Sequence, residues 1–142
     1  MTDNVLGLLG LALRSGNLAV GEDPVAGACQ AGRAKAVLLA ADAGAATGRR
    51  GEKLAQRGNA PLVRLPYSKG ELGWSLGRSS CALLAPTDLG LAAALIRRLA
   101  QRDESLLKLA GQLEEKAGRR KERRSNRNKT VRAEEKPVDV EV

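Results

Sequence analysis

The sequence predicts a layered α/β fold, a small sheet of about four strands with helices on both faces. Two observations predict it. Segments with apolar residues at helical spacing alternate with short continuous apolar runs, the pattern of strands covered on both sides. The core must also be aliphatic: apolar residues make up 43% of the 142 residues, aromatics only 1%, with Tyr67 and Trp74 as the two and no Phe. Large Leu alternating with small Ala suits close packing of helices on a sheet.

Asn4 can cap a first helix running to about Arg14, with Leu6, Leu9 and Leu13 on one face. Ser15-Gly16-Asn17 turns the chain, Leu18-Ala19-Val20 is a short strand, and Gly21 ends it. Asp23 is read as the cap of a second helix with Pro24 at its first position, running to about Ala31 before Gly32. Gly27 inside it weakens it by about 1 kcal/mol relative to Ala. Ala36 to Ala40 is a second strand, and a third helix runs from about Ala45 to Arg57. Leu62 to Leu65 is the next strand, bounded by Pro61 and Pro66. Ser68 with Glu71 three residues on has the form of a capping box for a fourth helix ending near Gly77. Cys81 to Ala85 is the last strand, and Pro86-Thr87-Asp88 leads into a long helix with Leu91, Leu95, Ile96 and Leu99 buried. Residues 103–115 keep a helical period, either as a continuation of that helix or as a separate one. Trp74 is read as packed between helix and sheet.

These elements make a compact unit over 1–100, a helical extension over 101–117, and a basic then acidic tail over 118–142, where the loss of apolar pattern predicts disorder. The formal net charge is +8. Residues 1–115 carry 14 basic and 11 acidic side chains, residues 116–132 carry 9 and 1, and residues 133–142 carry 1 and 4. The excess therefore sits in the tail, at Arg119, Arg120, Lys121, Arg123, Arg124, Arg127 and Lys129. Such a cluster suits phosphates and releases counterions on binding, adding affinity with little sequence discrimination.

Several function classes are excluded. No His is present and the two cysteines, Cys29 and Cys81, form no CxxC pair, so a zinc site lacks ligands and both thiols are read as buried and reduced. No nucleophile has a base nearby in sequence, so the chain is read as no enzyme and as needing no cofactor. The segment around Lys53 lacks the glycine-lysine-Ser/Thr order of a phosphate-binding loop. Arg49, Arg50, Lys53 and Arg57 are read as an ordinary solvated helix face. Two aromatics are too few for a single-strand-binding surface that stacks several bases. The apolar run Val5–Leu13 is too short to span a membrane and follows Asp3 where a signal peptide carries positive charge, so a cytoplasmic protein with no membrane partner is expected.

Four words stand in order along this path: LLGLALRSGNLAVGEDPV at 8–25, AGRAKAVLLAADA at 31–43, ELGWSLGR at 71–78 and CALLAPTDLG at 81–90. Together, over residues 5–99, they closely resemble the L-seven-Ae / L-thirty-e / S-twelve-e / Gadd superfamily of kink-turn RNA-binding ribosomal proteins, nearest its bacterial YlxQ-like branch. The resemblance implies a three-layer α/β/α sandwich with a small mixed sheet. It implies structured RNA as partner, ribosomal RNA being a candidate, and a role near the ribosome or in translation. Carried over by motif, the RNA surface comprises Gly16 and Asn17, then Gly21, Glu22, Asp23 and Pro24, then Arg78, Ser79 and Ser80, with Arg33 counted among the contacts. The chain departs from archaeal and eukaryotic members at Asn17, Pro24 and Gly27, where those carry Lys, Glu and Lys.

Physically, a helix N-terminus presents unpaired N–H groups and positive dipole to phosphate, and Gly21 allows close backbone approach. Carboxylates can accept from guanine N1–H and N2–H, and bends expose base edges that A-form grooves hide. Asp23 can serve as a guanine contact or only as a helix cap. Two other functions remain in competition: a non-specific RNA-associated adaptor acting through the tail, and a protein-interaction module using the amphipathic 103–115 segment. A monomer is the favoured state.

Overall fold

Alternation along one central strand decides which helices lie on which side of the sheet. In the computed structural model, which describes residues 4–120, Val37–Leu39 forms β2. Ala36, Leu38 and Ala40 point to one side, Val37 and Leu39 to the other, and each set joins a different apolar cluster. The elements in chain order are α1 (Asn4–Arg14), β1 (Leu18–Val20), α2 (Glu22–Gln30), β2, α3 (Ala45–Arg57), β3 (Leu62–Arg64), α4 (Lys69–Ser75), β4 (Leu83–Pro86) and α5 (Leu89–Ala100). A 3-10 turn, Glu104–Leu106, leads into a further helix, α6, described over 107–120.

The sheet order is β1-β4-β2-β3. β4 runs antiparallel to both β1 and β2, while β2 and β3 are parallel, so the sheet is mixed. Leu38, Val63, Leu84, Leu18 and Val20 pack on one face with Val5 and Leu9 of α1, Leu72 of α4, and Leu95, Ile96 and Leu99 of α5. Ala110 and Leu113 of α6 join the same cluster. On the other face Val37, Leu39, Leu83 and Ala85 meet Val25, Ala28 and Cys29 of α2 and Leu54 and Ala55 of α3. The three layers predicted from the sequence are therefore present, with α1, α4, α5 and α6 on one side and α2 and α3 on the other.

Local signals explain most boundaries. Ser68 accepts from the Glu71 N–H (3.1 Å) and Glu71 accepts from the Ser68 N–H (3.1 Å), the capping box expected for α4. Asp88 caps α5 by accepting from the Leu91 N–H (2.9 Å). After α5, Asp103 accepts from the Ser105 N–H (3.0 Å) and starts the 3-10 turn, so the segment after residue 103 is a separate helix rather than a continuation. Gly118, Arg119 and Arg120, assigned to the tail by composition, are helical and belong to α6. Lys121, Arg123, Arg124, Arg127 and Lys129 lie outside the described residues.

Three expectations are corrected. The second helix starts at Glu22 with Gly21 at its N-cap and no side-chain cap, so Asp23 is not the cap. The Val25 N–H already donates to the Gly21 carbonyl (3.1 Å), which places Pro24 third in the helix. Proline is tolerated there because that N–H, too, would have no partner within the helix. The last strand begins at Leu83 rather than Cys81, because the Cys81 N–H donates to the Lys69 carbonyl (3.0 Å) and ties that residue to α4. Trp74 is not packed between helix and sheet: it is 87% exposed, and Leu72 and Gly73 hold the buried side of α4. Tyr67 is the buried aromatic, at 4%.

Candidate nucleic-acid interface

Where β1 ends, the chain must leave the sheet and start a helix at once. Gly21 makes this step with φ 97° and ψ 167°, a region essentially restricted to glycine. Its N–H donates to the Leu83 carbonyl (2.9 Å), which pins the start of α2 to the start of β4. The antiparallel register, with Val20 opposite Leu84, brings the chain leading into β4 to the same place. That chain is the loop carrying Arg78, Ser79 and Ser80.

The result is an open cleft of about 190 Å³ lined by Val20, Gly21, Glu22, Thr47, Arg78, Ser80, Cys81, Ala82 and Leu83. Gly21, Glu22, Arg78 and Ser80 thus converge as the sequence predicts, although 56 residues separate Glu22 from Arg78 in the numbering. Ser79 lies exposed between two of the lining residues, and Asp23 and Pro24 are exposed in the adjoining first turn of α2. The loop is held firmly. The Arg78 N–H donates to the Gly73 carbonyl (2.7 Å), and a Cβ on Gly73 would stand 2.6 Å from the Ser80 Cα. Only glycine allows the loop to lie so close to α4.

The remaining site residues lie elsewhere. Gly16 and Asn17 close α1, with the Asn17 N–H donating to the Ala12 carbonyl (2.8 Å), and the Asn17 carbonyl accepts from the Thr87 N–H (2.9 Å). Arg33 follows α2, where the neighbouring Lys35 N–H donates to the Pro86 carbonyl (2.9 Å). Both places are at the Pro86–Thr87 end of β4, opposite the cleft.

Two cleft residues were missed by sequence reasoning. Thr47 of α3 lines the wall, and Arg50 pairs with Glu22 (Nε to Oε1, 3.2 Å). Arg50 keeps a partly exposed place on that face but meets a carboxylate of α2 there, while Arg49, Lys53 and Arg57 are exposed. The available signal was helical spacing: once Gly51, Leu54 and Ala55 mark the buried face of α3, Thr47 and Arg50 fall at its border. The Glu22–Arg50 pair is exposed, so its worth to stability is small. Its consequence is electrostatic, since a cation beside Glu22 offsets the repulsion that a lone carboxylate would exert on phosphate.

The polar lining of the cleft is mixed: the backbone of Gly21, the hydroxyl residues Thr47 and Ser80, the acidic Glu22 and the basic Arg78, with Arg50 beside the cleft through its pair with Glu22. These can meet phosphate oxygens and base edges. Burial pushes the Cys81 thiol above its ordinary value, so it stands in the wall as a neutral group. Cys29 is raised by burial in the same way. Among the described residues no group of three or more His, Cys, Asp or Glu side chains is placed to hold a metal ion. No described helix is long and apolar enough to cross a membrane.

Fold and cleft together define an α/β/α domain that presents a helix start and an opposed loop to a ligand. The family model for the ribosomal protein L7Ae/L30e/S12e/Gadd45 family matches residues 3–96, and the chain belongs to that family. It is 38% identical over 96 residues to the RNA-binding protein YlxQ of Bacillus subtilis (strain 168), spanning 65% of this chain and 91% of that one. A solved structure of a protein of unknown function from Bacillus halodurans is also similar, with a TM-score of 0.62 and 28% identity over 68% of this chain and 97% of the other. The resemblance carried by the four sequence words is thereby borne out, and the membership agrees with the reading of the chain as no enzyme.

Proposed function

We propose that this protein binds structured RNA of the kink-turn kind through the β1–α2 cleft, acting in the cytoplasm on ribosomal RNA or in translation. One observation carries the reading: the start of α2 and the loop before β4 converge on one cleft, and both cationic and accepting groups face it. Phosphate is met by Arg78, by the N–H groups at the helix start and by Arg50. Glu22 accepts from guanine edges that a bend exposes. Gly16, Asn17 and Arg33, at the far end of β4, contribute less. The tail adds affinity without discrimination.

The test compares the full chain on a kink-turn RNA and on an unbent duplex of equal length at physiological salt. Tighter binding to the kink-turn is expected. Arg78→Ala should weaken that binding by about 1.5 kcal/mol, roughly tenfold, as for a lost charge-assisted hydrogen bond. Equal affinity for the two RNAs would falsify the kink-turn reading.

A further inference from the structure

Trp74 is the single tryptophan of the chain and is 87% exposed. A ring left in water returns little packing energy, and the fold around it does not need it. Gly70 and Glu71, one turn before it in α4, are exposed, as are Gly77 and Arg78 just beyond the end of the helix, and all four are small or charged. The exposed residues named on either side of it in the chain are thus not apolar. A protein partner's hot spot sits in a well-packed, desolvated pocket within a broader contact area. A nucleobase needs only one flat face.

Cationic residues lie on the segments that flank α4, as that ligand requires. Arg78 follows it by four residues and lines the cleft. On the other side α1 packs against α4, and a Cβ on Gly10 would lie 3.5 Å from the Ser75 carbonyl oxygen and 3.6 Å from an Arg14 guanidinium nitrogen. The acidic residue of α4, Glu71, is turned toward the Ser68 N–H in the capping box. Position is fixed as well. Gly73, the residue before Trp74, is the one pressed against Arg78 and Ser80. The ring is thus anchored one residue from the loop that forms the cleft wall.

We propose that Trp74 is a stacking platform for an unpaired base of the RNA held in the cleft, with Arg14 and Arg78 taking the adjoining phosphates. This rests on the RNA reading above and extends it onto α4. Bent RNA elements splay unpaired bases outward, and such bases stack on aromatic side chains.

Because Trp74 is the sole tryptophan, its emission reports on its own surroundings. The full chain is titrated with kink-turn RNA carrying its unpaired nucleotides and with the same RNA made abasic at those nucleotides, while anisotropy of the labelled RNA measures binding separately. Base-bearing RNA should quench the emission and abasic RNA should bind more weakly without quenching. Trp74→Ala should weaken binding roughly tenfold and Trp74→Phe much less, both with an unchanged melting temperature. Tight binding with unaltered emission overturns the platform and leaves the cleft reading standing. Failure to bind either RNA overturns the cleft reading and the platform with it. A change in emission on concentrating the protein alone assigns the ring to a second copy and overturns the platform.

Discussion

The two sides of the sheet are built from different materials. The side under α1, α4, α5 and α6 is filled by long side chains: Leu9, Leu72, Leu84, Leu95, Ile96 and Leu113 are all buried there. The side under α2 and α3 is thin, with Ala28, Cys29, Ala34, Ala55 and Ala85 between Val25, Leu39, Leu54 and Leu83. Glycine brings its layers closer still. A Cβ on Gly51 would lie 3.1 Å from Leu39, and one on Gly58 would lie 3.1 Å from the Cys29 Cβ and 3.2 Å from its Cα. The cleft opens on the thin side, where small residues let the starts of α2 and α3 lie close to the strand ends. The long side chains thus gather on one face, while the starts of α2 and α3 that border the cleft belong to the other.

Three substitutions sharpen or break this contrast. The largest effect belongs to the thick side. Ile96→Ala removes fully buried methyl groups and should cost about 2–5 kcal/mol in denaturant unfolding. A loss under about 1 kcal/mol would mean that the long side chains there are loosely packed and the contrast is wrong. Next comes Gly58→Ala, which adds one carbon against the Cys29 backbone on the thin side and should cost about 1–3 kcal/mol. A neutral or stabilising result would show slack between α2 and α3.

The smallest effect concerns α6, which closes the thick side. Arg97 donates to Glu114 from Nε (2.9 Å) and Nη2 (2.6 Å). The hydrogen bond from Arg97 holds the Glu114 carboxyl below the ordinary carboxylate range, and Arg97 is raised in turn. A carboxyl whose folded value is depressed stabilises the folded state above its unfolded value and loses that contribution as pH falls through the folded one. The protection of the amides over 107–120, taken relative to the intrinsic exchange rate at each pH, should therefore fall modestly as the solution is acidified through the carboxylate range, and Glu114→Gln should remove that dependence. The pair lies at the solvent-exposed surface, so salt should mute the effect.

Much of the fold was legible because its signals are local. The third helix has the bounds expected from its pattern, Ala45 to Arg57, and Ser68 with Glu71 forms the capping box its spacing announces. The candidate site was legible in part. Gly21, Glu22, Arg78 and Ser80 were named and meet; Thr47 and Arg50 were not named, because an arginine at a helix border reads the same whether it faces water or a carboxylate from another element. Asp23 was misassigned since a capping preference says nothing of the step Gly21 takes when its N–H is claimed by Leu83. Trp74 was misplaced because a helix of seven residues is too short for periodicity to show which side faces inward.

Element order, the α/β class, the two-sided burial of the central strands and the aliphatic core follow from the sequence by itself, since each depends on neighbours a few residues apart. Only the tertiary structure decided which ends of those elements meet. The order β1-β4-β2-β3 places the loop before the last strand beside the end of the first, and puts Gly16, Asn17 and Arg33 at the opposite end. Strand pairing of this kind is set by contacts between residues far apart in the chain, which hydrophobic spacing cannot encode. The same long-range packing pressed Gly73 onto Ser80 and left the neighbouring indole in water.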